Sequence, residues 1–223
     1  MFVIGLIDDN ERELDDIQAT IASKWQDTKK ASDDVEFKTY QLAASIDFKE
    51  KLQKELLGDV EYARIQGLVI DYKLDSLRKV IEGRDIAEYL HEKVPAFPVV
   101  ILTNAPERGK EEDEIDPDKV YDKEIFFNLD EPQSRDMVFN IRRNIERYVR
   151  QRAMLEADLS QTLDRLNQEK ESDAKIGLLA RIAALEDTLG DYTLTGQTSA
   201  EKAFDLRTLR DLVEGLVKLE ENL

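Results

Sequence analysis

The chain has 223 residues, 41% of them hydrophobic, which is enough for one large or two small domains with a core that needs no disulfide or metal staple. Asp and Glu number 49 against 32 Lys and Arg, and the resulting formal charge of −17 sets the surface against nucleic acid and anionic membranes. There is no cysteine and one histidine, His91, which excludes thiolate zinc sites and cysteine nucleophiles, argues against histidine-rich metal centres and Ser-His-Asp hydrolases, and suits a reducing compartment.

The first element is Phe2–Ile7, a continuous apolar run that stops at Asp8-Asp9-Asn10 and reads as a buried strand. It lacks a basic flank and is too short for a signal peptide or a membrane span. No later apolar run is long enough to span either, so the protein is expected to be soluble and cytoplasmic. Glu11–Trp25 follows, with Leu14, Ile17, Ile21 and Trp25 at helical spacing. Residues 35–40 alternate like a strand, and Phe48–Leu57 reads as a helix closed by Gly58. Gly67–Ile70 is a second buried strand, ended by Asp71. A helix is expected within Ser76–Val94, then a third buried strand at Phe97–Leu102, ended by Thr103. Residues 106–118 are strongly acidic and read as a loop. Val120-Tyr121 is a short strand ended by Asp122-Lys123.

From Gln133 onward no strand-like run occurs. Val138, Ile141, Ile145, Tyr148, Leu155, Leu159, Leu163 and Leu166 predict one long helix leaving the first unit. Ile176, Leu179, Ile182, Leu185 and Leu189 predict a second, stopped near Gly190. After a loop at 190–198, Thr198 with Glu201 forms a capping-box signature for a third helix, to about Leu219. Polar breaks at Arg152 and Thr162 favour a short helical bundle over a strict coiled coil. The chain thus divides into an α/β unit, 1–150, and an all-α helical unit, 151–223. The second holds 9 Lys and Arg against 15 Asp and Glu, and Arg207 and Arg210 are flanked by acids, so it offers no basic recognition helix for DNA. Its apolar stripes suit bundle packing, self-association or a partner protein.

Strands alternating with helices predict a parallel sheet covered on both faces, with its ligand site outside the carboxyl ends of the strands. Those ends carry Asp8, Asp9, Asp71, Thr103 and Lys123: three carboxylates, one hydroxyl and one amine. Clustered carboxylates suit a hard cation such as Mg²⁺. A transferring phosphoryl group spreads negative charge over its oxygens, so an amine, a hydroxyl and a metal are the groups that stabilise it. His91 has no sequence partner and reads as a surface residue, Trp25 as core, and Gly83-Arg84-Asp85 as a helix feature. No glycine-rich nucleotide loop is present.

Ile-Asp-Asp-Asn (7–10), Leu-Val-Ile-Asp-Tyr-Lys-Leu (68–74), Gly-Arg-Asp (83–85), Val-Val-Ile-Leu-Thr (99–103) and Asp-Lys (122–123), taken in this order, resemble the receiver domain of two-component response regulators over roughly residues 1–150. The resemblance implies a flavodoxin-like, doubly wound, five-stranded parallel sheet. It implies that Asp71 is the phosphoacceptor, and that Asp8, Asp9, Asp71 and the backbone carbonyl of Lys73 hold Mg²⁺. It places Thr103 and Lys123 on the phosphoryl oxygens and a histidine kinase upstream. Such a chain is not an enzyme beyond accepting the group and slowly losing it. Its output is a dimer or an effector protein bound through the C-terminal helices. The chain departs from the family in four places, one of them a longer gap from Asp9 to Asp71, with the extra length around residues 26–34 and 42–66. Glu124 and Asp75 stand where prolines are usual, and Val120 stands at the switch aromatic's position. Tyr121, one residue on and expected on the other face, is the candidate replacement. The alternatives are a non-switching, receiver-like scaffold and, with less in its favour, a metal-dependent phosphatase or hydrolase.

Overall fold

The computed structural model describes residues 1–25, 34–40, 48–74, 81–104 and 119–194. Five strands form one all-parallel sheet: β1 (Phe2–Ile7), β2 (Val35–Thr39), β3 (Gly67–Asp71), β6 (Val99–Thr103) and β7 (Val120–Asp122), in the order β2-β1-β3-β6-β7. A small antiparallel pair, β4 (Lys73–Leu74) with β5 (Ile81–Glu82), lies just past β3. The helices are α1 (Glu11–Trp25), α2 (Phe48–Glu61), α3 (Gly83–Lys93), α4 (Lys123–Phe127), α5 (Pro132–Gln168) and α6 (Ser172–Gly190). The expected loop at 106–118 and third C-terminal helix lie outside the described residues.

The continuous apolar runs are strands buried on both faces, and their side chains divide with period two. Leu68, Ile70, Val99 and Ile101 face a cluster with Leu52, Leu56 and Val60 of α2 and Ile86 and Leu90 of α3. Ile4, Leu6, Val69, Val100 and Leu102 face the other cluster, with Ile17, Ile21 and Trp25 of α1, Phe126 of α4, and Val138, Ile141 and Ile145 of α5. Trp25 is core, as its position predicts. It lies under the Arg142 guanidinium, 5.5 Å from the ring centre, and its carbonyl oxygen accepts from Arg142 Nη1 at 3.0 Å.

Strand β6 starts at Val99 rather than Phe97 and includes Thr103, and two helix boundaries differ from the sequence reading. The helix expected within Ser76–Val94 occupies its second part: 76–80 lie outside the described residues, Ile81 and Glu82 pair with Leu74 and Lys73, and α3 starts at Gly83. The cause is a close approach. A Cβ at position 83 would sit 2.2 Å from the Asp71 carbonyl oxygen, while the Gly83 amide donates to the Tyr72 carbonyl at 2.8 Å. Helix α3 therefore begins clamped on the chain that carries Asp71. Nor does Gly58 close α2, which runs on to Glu61; Ala63, with φ 52°, makes the left-handed turn instead.

Asp59 explains the extra turn. Its side chain is 2% exposed and accepts from Tyr40 Oη at 2.7 Å, from Lys38 Nζ, and from Arg64 Nη1 at 3.4 Å, tying α2 to β2. Burial would raise its carboxyl, but these donors outweigh burial and hold it below the usual range. A depressed acid stabilises the fold above its unfolded value, so this contribution is present above about pH 4 and is lost as pH falls through the folded value. Asp59→Ala should lower unfolding free energy by about 1–3 kcal/mol, because it strands the Tyr40 hydroxyl. Lys38 is one-third exposed and retains Glu55 at 3.0 Å, which limits the loss. An unchanged urea midpoint would mean the network adds nothing.

Helix α5 is 37 residues long, about 55 Å, and crosses position 150 without a break. Its first half packs on the sheet. Its second half forms an antiparallel hairpin with α6, fastened by Arg181 on Asp158 at 2.8 Å. The end of α6 returns to the α/β unit. Tyr148 of α5 donates its hydroxyl to the Tyr192 carbonyl at 2.9 Å and stacks on that ring, and the Ala96 amide donates to Asp191 O at 2.8 Å. No helix among the described residues is long and apolar enough to cross a membrane.

Candidate functional site

Parallel strands aligned in one sheet bring their carboxyl ends to one edge, and the chain turns there. Asp8 and Asp9 follow β1, Asp71 ends β3, Thr103 ends β6, and Lys123 opens α4 directly after β7. All but Asp9 are buried. Asp9, Asp71, Thr103 and Lys123 line a cleft of about 690 Å³ with Asn10, Glu13, Tyr72, Lys73 and Asn104 among their neighbours.

Local capping sets the geometry. The Asp8 carboxylate accepts from the Asn10 amide at 2.8 Å, and Asn10 Oδ1 accepts from the Arg12 amide at 3.1 Å, which starts α1 beside the cleft. Asp122 caps α4, accepting from the Glu124 amide at 2.8 Å, and so aims Lys123 inward. Lys123 Nζ lies 2.8 Å from Asp71 Oδ1 and 3.3 Å from Asp8 Oδ2, and it also pairs with Glu13.

The Lys123 ammonium is thus shared by three carboxylates, those of Asp8, Asp71 and Glu13. Burial pushes Asp8 up to about 6, with Asp71 and Glu13 adding to the rise and the Asn10 amide and Lys123 opposing it. Burial also raises Asp71, against Lys123. For Lys123, burial would lower the ammonium, but Asp71, Glu13 and Asp8 outweigh it and hold it above the lysine range.

Carboxylate oxygens of Asp8, Asp9 and Asp71, one from each, lie within 4.8 Å of one another. An all-oxygen donor set, two of its three carboxylates buried, fits a small divalent cation such as Mg²⁺. Comparison with protein-family models, curated proteins and solved structures finds no match to this chain.

The structure therefore brings together Asp8, Asp9, Asp71, Thr103 and Lys123, and places Lys73 at the rim. Tyr121 is elsewhere. It pairs in register with Leu102, is buried in the cluster under α1 and α5, and does not line this cleft. Glu13 was missed. Its signal was the Asn10-x-x-Glu13 spacing of a helix start, and Asn10 Nδ2 does donate to Glu13 Oε1 at 3.2 Å. His91 is half-buried rather than a free surface residue: Nε2 donates to the Phe97 carbonyl at 3.0 Å and fastens α3 to the chain entering β6.

Proposed function

We propose that the chain is a response regulator of two-component type, accepting a phosphoryl group on Asp71 with Mg²⁺ and signalling through its C-terminal helices. The observation that carries this reading is the Asp8-Asp9-Asp71 carboxylate cluster with the Lys123 ammonium 2.8 Å from Asp71 and Thr103 at the adjoining strand end. The strand order supports it. Counted within the five-stranded sheet it is 2-1-3-4-5, the flavodoxin-like order, whose ligand site lies where the order reverses, between β1 and β3. Asp8-Asp9 and Asp71 follow those two strands.

In this reading an Asp71 carboxylate oxygen attacks phosphorus in line. The P–N bond of a kinase phosphohistidine, or the P–O bond of a small acyl phosphate, breaks and the leaving group departs with its electron pair. Mg²⁺, when held by Asp8, Asp9 and Asp71, supplies charge neutralisation for the phosphoryl oxygens and the attacking carboxylate. Lys123 positions Asp71 before transfer and turns to a phosphoryl oxygen after it. Thr103 donates its hydroxyl to another. Turning Lys123 releases Glu13 and Asp8, and this is the local charge change that the fold would transmit. The acidic helical hairpin suits protein partners or a second copy rather than DNA.

Incubation with acetyl phosphate and Mg²⁺, followed by intact mass, tests the reading. Wild type should gain one phosphoryl group and Asp71→Asn none. The second reading, a non-switching scaffold, draws on Glu13: a further acid already occupies Lys123. Absence of both phosphoryl gain and Mg²⁺ binding in wild type would select it.

A further inference from the structure

A second cleft, of about 730 Å³, opens at the other end of the sheet, between α5 and the amino-terminal ends of β3, β6 and β7. It shares no lining residue with the acidic cleft and lies about a strand length away, roughly 13 Å. Its charge is reversed. Lys119, Arg143 and Arg147 line it, and among the described residues no acid does, although Asp and Glu make up 49 of the 223 residues.

The arginines are unusual within their own helix. Arg142 and Arg152 each hold a Glu four residues on, at 2.8 Å. Arg143 instead has Arg147 at that spacing, a like-charge pair that weakens a helix. Both are exposed, and neither makes an ion pair among the described residues. Asn140 and Asn144 lie on the same helical face and line the cleft with them. Beside these polar groups the lining includes apolar Pro98, Val100 and Ile141 and the half-buried Tyr192, one face of whose ring stacks on Tyr148. Guanidinium pairs bind phosphate, and an aromatic face beside them stacks planar rings.

We propose that this cleft binds a phosphorylated heteroaromatic small molecule, the chemistry of a purine nucleotide. Arg143 and Arg147 hold its phosphates, Asn140 and Asn144 offer paired donors and acceptors, and Tyr192 stacks on the ring. Guanidinium groups take the part that a glycine-rich loop plays elsewhere, so the absence of such a loop is no obstacle. Tyr192 belongs to the segment by which the hairpin returns to the sheet, so the ligand would touch both parts of the molecule. The proposal does not depend on the chemistry of Asp71.

Calorimetric titration of the full chain with ADP in EDTA tests it, because without a divalent cation the carboxylate cleft has little to offer an anion. Saturable one-to-one binding to wild type is expected. Arg143→Ala with Arg147→Ala should weaken it about tenfold or more, the loss of at least one charge-assisted hydrogen bond. Both residues are exposed, so the melting temperature of the double variant should match wild type and show that it is folded. Arg150→Ala, exposed on the same helix but outside the cleft, should bind as wild type does. Inorganic pyrophosphate should bind about tenfold or more weakly than ADP, because it cannot stack. Absence of ADP binding, or equal weakening by Arg150→Ala, overturns the site. Equal affinity for pyrophosphate overturns the heteroaromatic ligand.

Discussion

Millimolar Mg²⁺ should raise the melting temperature of the wild-type chain by about 5–10 °C at neutral pH, and Asp8→Asn with Asp9→Asn should abolish that gain. Oxygens of three carboxylates lie within 4.8 Å of one another, and the Lys123 ammonium is shared by two of them, Asp8 and Asp71, and by Glu13. A cation that binds only the folded chain at a hundred times its dissociation constant adds about 2.7 kcal/mol. The pH dependence follows from Asp8. Its folded value is raised from 3.8 to about 6. A raised acid makes the folded state bind protons more tightly than the unfolded one. Stability from this group therefore falls as pH rises from about 4 to about 6, and at neutral pH the charged form costs on the order of 2–3 kcal/mol. Asp71 is shifted the same way and adds to the trend.

Without metal, then, the double variant should melt above wild type at neutral pH, and the difference should vanish below about pH 4. Asn at position 8 keeps the oxygen that accepts from the Asn10 amide, so the α1 start is preserved. Thermal melts with EDTA and with Mg²⁺, each across this pH range, give all four quantities. An undiminished Mg²⁺ response in the variant would move the cation elsewhere on this acidic surface.

The parts of the site that could be read in the sequence are those fixed by strand ends. A buried parallel strand is a bare apolar run, so the residue that ends it is visible, and parallel alignment puts all such residues on one edge. Asp8, Asp71, Thr103 and Lys123 needed nothing more. Glu13 was harder because it comes from a helix: its reach to Lys123 depends on where α1 starts, which the Asn10 cap decides. The start of α3 was hidden for a related reason. Periodicity extends back through Val80 and Ile81, but the approach of Gly83 to the Asp71 carbonyl is a tertiary constraint that overrides it. The basic cleft was invisible because Lys119 and Tyr192 lie far in sequence from the Arg143 and Arg147 pair, and only the tertiary fold brings them to one cleft. Tyr121 shows the opposite case. Strand period alone places it on the face away from Val120, and it lies with Leu102 rather than in the cleft.

Lys123→Met should be the most damaging single change in the acidic cleft, and Mg²⁺ should repair much of it. The lysine is 4% exposed, and its ammonium is the only cation within salt-bridge distance of Asp8 or Asp71 among the described residues. Removing it leaves buried carboxylates uncompensated, a loss on the order of 3–5 kcal/mol at neutral pH. Methionine keeps most of the apolar stem at the start of α4, so the change reports mainly on charge. The acids then respond in the only way left to them. Asp8 and Asp71 rise further, and the loss should shrink as pH falls and they protonate. A divalent cation supplies the missing charge by another route, and its affinity should increase because the competing ammonium is gone. On the proposed function, the folded variant with Mg²⁺ should nevertheless accept phosphoryl groups poorly, since nothing replaces the Lys123 donor to the phosphoryl oxygen. Urea unfolding with and without Mg²⁺ at two pH values separates these effects. A loss that neither Mg²⁺ nor low pH diminishes would assign Lys123 a packing role at the start of α4, and the carboxylates would then be neutralised by something other than its charge.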